Sequence, residues 1–409
     1  AAGGGAGRRH ARVRLAGALG SLALALLLLG VSALIHRSTP SPGSFYAAPA
    51  ERPEAPGALL RSESFAGSLP RGARGWLILY TTTRAPGVPA VASALVVAAE
   101  RLPPGPRPVI AWAHGTTGVA RRCAPSVLPG GFAQNVPALE PALRRGWVFV
   151  ATDYVGLGTA GPHPYLIGQG EARSVLDAVR AARRLPELSL QRRTVVWGHS
   201  QGGHAALWSG GLAPRYAPDV NVIGVAALSP AADLVPLVRR VQSTTAGQLI
   251  GTLAITAYSE IYPDVSFDAY VRPDARLIVQ RAAGRCATGP DVLASAAVML
   301  PLDGSLFSSD PTAGPLGRRF AQNTPELPVP APLLIGQGLA DPLVLPAVQR
   351  DYVARRCAAG QPLTYRTYRG RDHLSVVAPD SPLTGDLIRW TDRRLAGAAA
   401  PRGCRTVRE

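Results

Sequence analysis

The chain contains no lysine: all 43 basic residues are arginine, set against 26 acids for a formal net charge of +17. No stretch interleaves those arginines with aromatic residues, which argues against a nucleic-acid interface despite the charge. Five of them fall in the first 37 residues, which hold no acid, so only 38 face the 26 acids of the rest. An Arg-only chain rich in Ala, Gly and Pro reflects a coding bias better than a ligand. Charged residues make up only 17% and apolar ones 47%, the balance of a chain that folds rather than one that stays disordered. Cysteine is scarce: Cys123, Cys286, Cys357 and Cys404, with no Cys-x-x-Cys pair, so no zinc site is expected. There is no internal repeat and no low-complexity tract beyond the N-terminus.

What is present begins with Arg8, Arg9, Arg12 and Arg14, followed by an apolar run from Leu15 to Ile35. A positive segment before an apolar core reads as an export signal. The run, roughly 20 residues long, is enough to span a bilayer. Residues 1–37 are therefore read as either a cleaved signal peptide or a retained membrane anchor. Neither Val31-Ser32-Ala33 nor Tyr46-Ala47-Ala48 is a convincing cleavage site, which favours the anchor. The chain is expected to be exported, and four cysteines then read as two disulfides, with three pairings open. Residues 38–58, rich in Pro, Ser and Gly, read as a linker leading into the domain, which is placed at 59–404.

From residue 76 the pattern is that of an α/β domain. Trp76–Tyr80 and Val91–Val97 read as antiparallel strands joined through Pro86-Gly87. Then come strands at Val109–Ala113, Trp147–Thr152, Thr194–Gly198 and Asn221–Leu228, alternating with helices at about 136–145 and 168–185. That rhythm predicts a mostly parallel sheet flanked by helices. It breaks over about 231–328, where helical stretches (Leu234 to Tyr258, Val292 to Leu300) read as an inserted cap. It resumes with a strand at Pro332–Gly336, a helix at about 345–358, a strand at Leu363–Tyr368 and a last helix at about 383–396.

The chemistry centres on Gly198-His199-Ser200-Gln201-Gly202. With 44 glycines in the chain the pentapeptide alone is weak evidence. An apolar strand directly before it and Gly-His-Ala-Ala directly after it give the layout of a nucleophile elbow. A serine hydroxyl needs a base and an orienting acid, which in this chain order come later. After Ser200 only His204 and His373 remain; His204 lies in the helix behind the elbow and is read as packing or capping. His373, in the loop after the last strand, is the expected base. Asp341, in Gly338-Leu339-Ala340-Asp341-Pro342 after a strand, is the expected acid, and Asp372 competes from the adjoining position. Two N–H donors for a developing oxyanion are expected from Gln201 and from Thr116 or Thr117 in the His114-Gly115-Thr116-Thr117 loop.

Together with Phe45-Tyr46, Cys123-Ala124-Pro125 and Asp153-Tyr154-Val155-Gly156-Leu157-Gly158, these motifs make the chain resemble the secretory lipase family of lipase A type over about 45–404. The resemblance implies an α/β-hydrolase core under a helical cap and hydrolysis of carboxylic esters, often acylglycerols. It also implies disulfides Cys123–Cys286 and Cys357–Cys404. The expected partner is a lipid or small ester, with association at a membrane or lipid interface and without metal or cofactor. The rivals are a short-chain carboxylesterase or an acyltransferase and, outside enzymes, a catalytically dead binding protein on the same fold.

Overall fold

Strands that read as unbroken apolar runs lie where both faces are covered, as parallel strands must when helices flank a sheet. In the computed structural model, residues 41–133, 136–299, 302 and 304–409 are described. The segment read as signal or anchor, 1–37, lies outside them; among the described residues no helix is long and apolar enough to cross a membrane. The first strands are β1 (Leu59–Ser64), β2 (Ala73–Ala85), β3 (Val88–Ala99) and β4 (Arg107–Ala113). There follow α1 (Leu139–Arg144), β5 (Val148–Thr152), α2 (Gly168–Ala182), β6 (Leu190–His199), α3 (Gln201–Tyr216) and β7 (Val222–Leu228). A helical segment comes next: α4 (Leu234–Val241), α5 (Thr245–Ile261), α6 (Phe267–Tyr270), α7 (Arg276–Ala283), α8 (Pro290–Met299) and α9 (Gly314–Gln322). The chain closes with β8 (Leu333–Gly338), α10 (Pro346–Ala358), β9 (Leu363–Tyr368), α11 (Pro382–Leu395) and β10 (Cys404–Arg408).

The strands form one sheet in the order β1-β2-β3-β5-β4-β6-β7-β8-β9-β10. β1, β2 and β3 pair antiparallel, as does β3 with β5; from β5 to β10 every pairing is parallel. This is the expected mostly parallel α/β sheet. One face packs against α2, α3 and α10 through residues such as Val175, Val179, Ala206 and Tyr352. The other packs against α1 and α11 through Leu143, Leu387, Ile388 and Trp390. The helices between β7 and β8 have their own core, in which Leu253, Tyr258, Val279 and Phe320 meet Tyr165, Leu166 and Ile167 of the loop before α2.

Several local features add to or differ from the sequence reading. The stretch from Leu234 to Tyr258 is two helices, because the Thr244 hydroxyl accepts a hydrogen bond from the Gly247 amide and starts α5 afresh. β1 was not legible because its residues are half exposed or exposed and alternate weakly. β10 consists mostly of exposed residues and pairs with β9 at the sheet edge, beside the Cys357–Cys404 disulfide. Within residues 41–58, Tyr46 is buried and its hydroxyl meets Ser126 Oγ at 2.8 Å, so this segment is docked on the body.

Candidate active site

Ser200 sits between β6 and α3 with φ 58° and ψ −119°, a backbone conformation that a non-glycine residue adopts only at a cost. Its amide is held by the Leu228 carbonyl at 2.9 Å, so the neighbouring strand β7 enforces the turn. The flanking glycines are required by close approach. A Cβ on Gly198 would lie 1.9 Å from the Gly202 carbonyl oxygen, and one on Gly202 would lie 1.9 Å from that of Ala113. The elbow is thereby wedged against the end of β4, from which the His114–Thr117 loop departs.

The loop after β9 carries His373, and its Nε2 faces Ser200 Oγ at 2.9 Å while its Nδ1 faces Asp341 Oδ2 at 2.8 Å. With Nδ1–H donating to the carboxylate, Nε2 is left to accept the serine proton. Asp341 follows β8, and its other oxygen accepts the amides of Leu343 and Val344 at 2.9 and 2.8 Å. Gln337 Nε2 adds a 3.3 Å contact to Oδ2. These bonds fix the carboxylate on rigid backbone. Asp372 does not serve His373. Its Oδ1 accepts the amides of Leu374 and Ser375 and the Ser375 hydroxyl, bonds that hold its carboxyl below the usual range and shape the loop around His373.

One histidine of this site was not singled out from the sequence. His199 Nε2–H donates to the His373 carbonyl at 2.8 Å, with the two rings 4.8 Å apart. Burial, with the His373 ring adding to it, lowers its pKa to about 3, so His199 is a neutral donor at any ordinary pH. It stood in plain view inside the pentapeptide; a search confined to residues after Ser200 passes it by. His204, read as packing or capping, is fully buried, with Nδ1 2.9 Å from Glu171 Oε2.

Thr116 and Thr117 both line the cavity above Ser200. The Thr116 hydroxyl is engaged by the Tyr165 hydroxyl at 2.9 Å, whereas the buried Thr117 hydroxyl finds no hydrogen-bond partner among the described residues. Gln201 opens α3 directly after Ser200. The cavity has a volume of about 420 Å³. Its walls are apolar: Trp112, Leu128 and Phe132 from the body, Leu249, Ile250 and Val292 from the helices above. Among the described residues, two of the links that tie that roof to the stretch after β4 matter most for the site. One is the Cys123–Cys286 disulfide, and the other is the Ala287 amide donating to the Thr117 carbonyl at 2.8 Å. Both disulfides implied by the resemblance are formed, and the described residues hold no free cysteine. Among the described residues no cluster of His, Cys, Asp or Glu is placed to hold a metal ion.

A mostly parallel sheet, a strand–serine–helix elbow, and a histidine and an aspartate from loops after later strands give the chain the α/β-hydrolase fold. Solved structures share the fold: the chain aligns with lipase A of Candida antarctica at a TM-score of 0.73 and 18% identity, covering 90% of each chain. It aligns with the rice cell wall degrading esterase LipA of Xanthomonas oryzae at a TM-score of 0.66 and 21% identity, covering 84% of this chain and all of that one. A family model described as "Secretory lipase" matches residues 133–299 of this chain. The chain is 28% identical over 394 residues to a Mycobacterium tuberculosis protein named a probable inactive lipase, covering 88% of this chain and 83% of that one. It is 25% identical over 247 residues to lipase A of Moesziomyces aphidis, covering 58% of this chain and 52% of that one.

Proposed function

We propose that the protein is an exported serine hydrolase that cleaves carboxylic esters, with acylglycerols as the favoured class. The observation that carries this reading is the unbroken contact from Ser200 through His373 to Asp341, at 2.9 and 2.8 Å, on the floor of an apolar cavity. Ser200 Oγ attacks the ester carbonyl as His373 Nε2 takes its proton, and the imidazolium that forms is held by Asp341. The Gln201 backbone amide and the Thr116–Thr117 loop, whose Thr117 hydroxyl has no partner among the described residues, stabilise the tetrahedral oxyanion. His373 then protonates the leaving alcohol, and water, activated by the same imidazole, releases the acid. The apolar walls of the 420 Å³ cavity suit an acyl chain. Export is supported by the match to the secretory lipase model and by two disulfides, which persist in oxidising surroundings.

The name of the mycobacterial relative raises a second reading, a binding protein without turnover. Hydrolysis of p-nitrophenyl esters from acetyl to palmitoyl, beside Ser200→Ala, separates the two. Turnover that falls by at least roughly 10⁴-fold in Ser200→Ala, as loss of an activated nucleophile does, and that is strongest on medium to long chains is the expected result. Turnover confined to acetyl and butyryl esters would make it a short-chain carboxylesterase. A folded protein without Ser200-dependent turnover would favour the binding protein.

A further inference from the structure

The two halves of the oxyanion site come from different elements: Thr116 and Thr117 follow β4, and Gln201 starts α3. Their separation matters, because donors displaced by even 1 Å lose most of their effect on a developing charge. One short segment between β5 and α2, His163-Pro164-Tyr165-Leu166, touches both halves. Tyr165 OH meets Thr116 Oγ1 at 2.9 Å. His163 donates from Nδ1 to the Val155 carbonyl at 3.0 Å, which leaves Nε2 to accept from the Gln201 side-chain amide at 3.1 Å. Burial lowers the His163 pKa to about 3 and keeps that acceptor lone pair free of a proton.

Glu171, one turn into α2, joins the same residues from beneath. Its Oε1 accepts the Gln201 amide at 2.7 Å and the Leu166 backbone N–H at 2.9 Å. Its Oε2 faces His204 Nδ1 at 2.9 Å, and His204 Nε2 donates to the Asn323 carbonyl at 2.7 Å, at the end of α9. Both hydrogens of the Gln201 amide are therefore committed, one to Glu171 and one to His163. None of Glu171, Gln201, His163, Tyr165 and His204 is more than 1% exposed. Water therefore cannot readily substitute for a lost partner, and a single deletion is felt along the chain of contacts. The Tyr258 hydroxyl of α5, donating to the Leu166 carbonyl at 2.7 Å, extends the tie to the roof.

We propose that Tyr165, His163 and Glu171 are positioning residues: they clamp the Thr116 loop to Gln201 and so set the spacing of the two oxyanion donors. The inference rests on the ester-hydrolase reading above. It is tested on the full chain with p-nitrophenyl butyrate for turnover and a p-nitrophenyl alkylphosphonate for stoichiometric labelling of Ser200. Tyr165→Phe keeps the ring and removes only the bond to Thr116. Its kcat is expected to fall about tenfold with KM within about twofold, less than the loss of a whole donor. Its thermal midpoint should stay near that of the wild type. Thr116→Val, which deletes the other end of the same bond, should match it, and the double variant should be no slower than either single one. Glu171→Leu should be slower still, with Glu171→Gln restoring most of the rate because its amide oxygen still accepts from Gln201 and Leu166. If Glu171→Leu does not fold, the Tyr165 and Thr116 pair decides alone. Unchanged kcat and labelling in Tyr165→Phe, or losses that multiply in the double variant, would overturn the clamp while leaving the hydrolase reading intact. A wild-type protein that neither turns over ester nor takes the phosphonate at Ser200 would overturn both.

Discussion

At the scale of single residues, the site depends on groups that never change charge as much as on those that do. His199 is the clearest case: a neutral imidazole behind His373, holding the His373 backbone through one 2.8 Å bond. His199→Phe preserves the ring volume and deletes that bond, so kcat should fall roughly tenfold, the effect of a base held less firmly, with little change in KM. Steady-state kinetics check this, and a variant as fast as the wild type would show that the His373 loop holds itself. The expected nucleophile, base and acid were legible because each follows a strand in the order the chemistry needs. Glu171, His163 and Tyr165 were not, since a lone acid or histidine inside a helix or loop carries no periodic signal. Asp372 shows the opposite difficulty. Adjacent to His373 in sequence, it looks like a rival acid, and only the Ser375 and Leu374 amides it accepts reveal a turn former.

At the scale of elements, the parallel strands were readable from buried β-branched and apolar runs, and the roof was readable as a break in their alternation. The division of α4 from α5 was hidden, because one threonine hydroxyl capping an amide outweighs the continuous helical periodicity on either side. The roof meets the body at the Cys123–Cys286 bridge, beside the Thr117–Ala287 hydrogen bond. That bridge closes a loop with a sequence separation of 163. Replacing both cysteines by serine should lower stability by up to about 5 kcal/mol on the chain-entropy model. Turnover should also fall before global unfolding, since the corner next to the Thr116–Thr117 loop is loosened first. Denaturant titrations followed in parallel by fluorescence and by activity would show it. Coincident transitions in the variant would mean that the bridge serves stability alone.

At the scale of the whole molecule, buried ionisable groups set how the fold responds to acid. Burial lowers His114 to about 4 and both His163 and His199 to about 3. A histidine depressed on folding contributes stability that is fully present above its unfolded value near 6.5 and is lost as pH falls toward the folded value. Asp153 works the other way: burial raises it to about 6 despite hydrogen bonds from Ser93 and Ser126. Its contribution is in place below 3.8 and lost as pH rises through 6. At pH 5 the three histidines together cost about 6 kcal/mol relative to pH 8, while Asp153 returns only about 1 kcal/mol. The histidines win, so the urea midpoint should drop steeply between pH 7 and pH 5. A midpoint that holds or rises over that interval would contradict the burial of these rings.

The Cys123–Cys286 bridge has one further consequence, for a protein that meets proteases. It makes a covalent ring of everything between the two cysteines, from the segment after the oxyanion loop through α7. Arg281 of α7 stands exposed within that ring, and arginine is a residue after which a trypsin-like enzyme cuts. A nick there does not release a fragment. The two pieces stay joined through the Cys123–Cys286 bridge, migrate as a single band without reductant and separate into two with it. A cut molecule thus keeps its roof attached over Ser200.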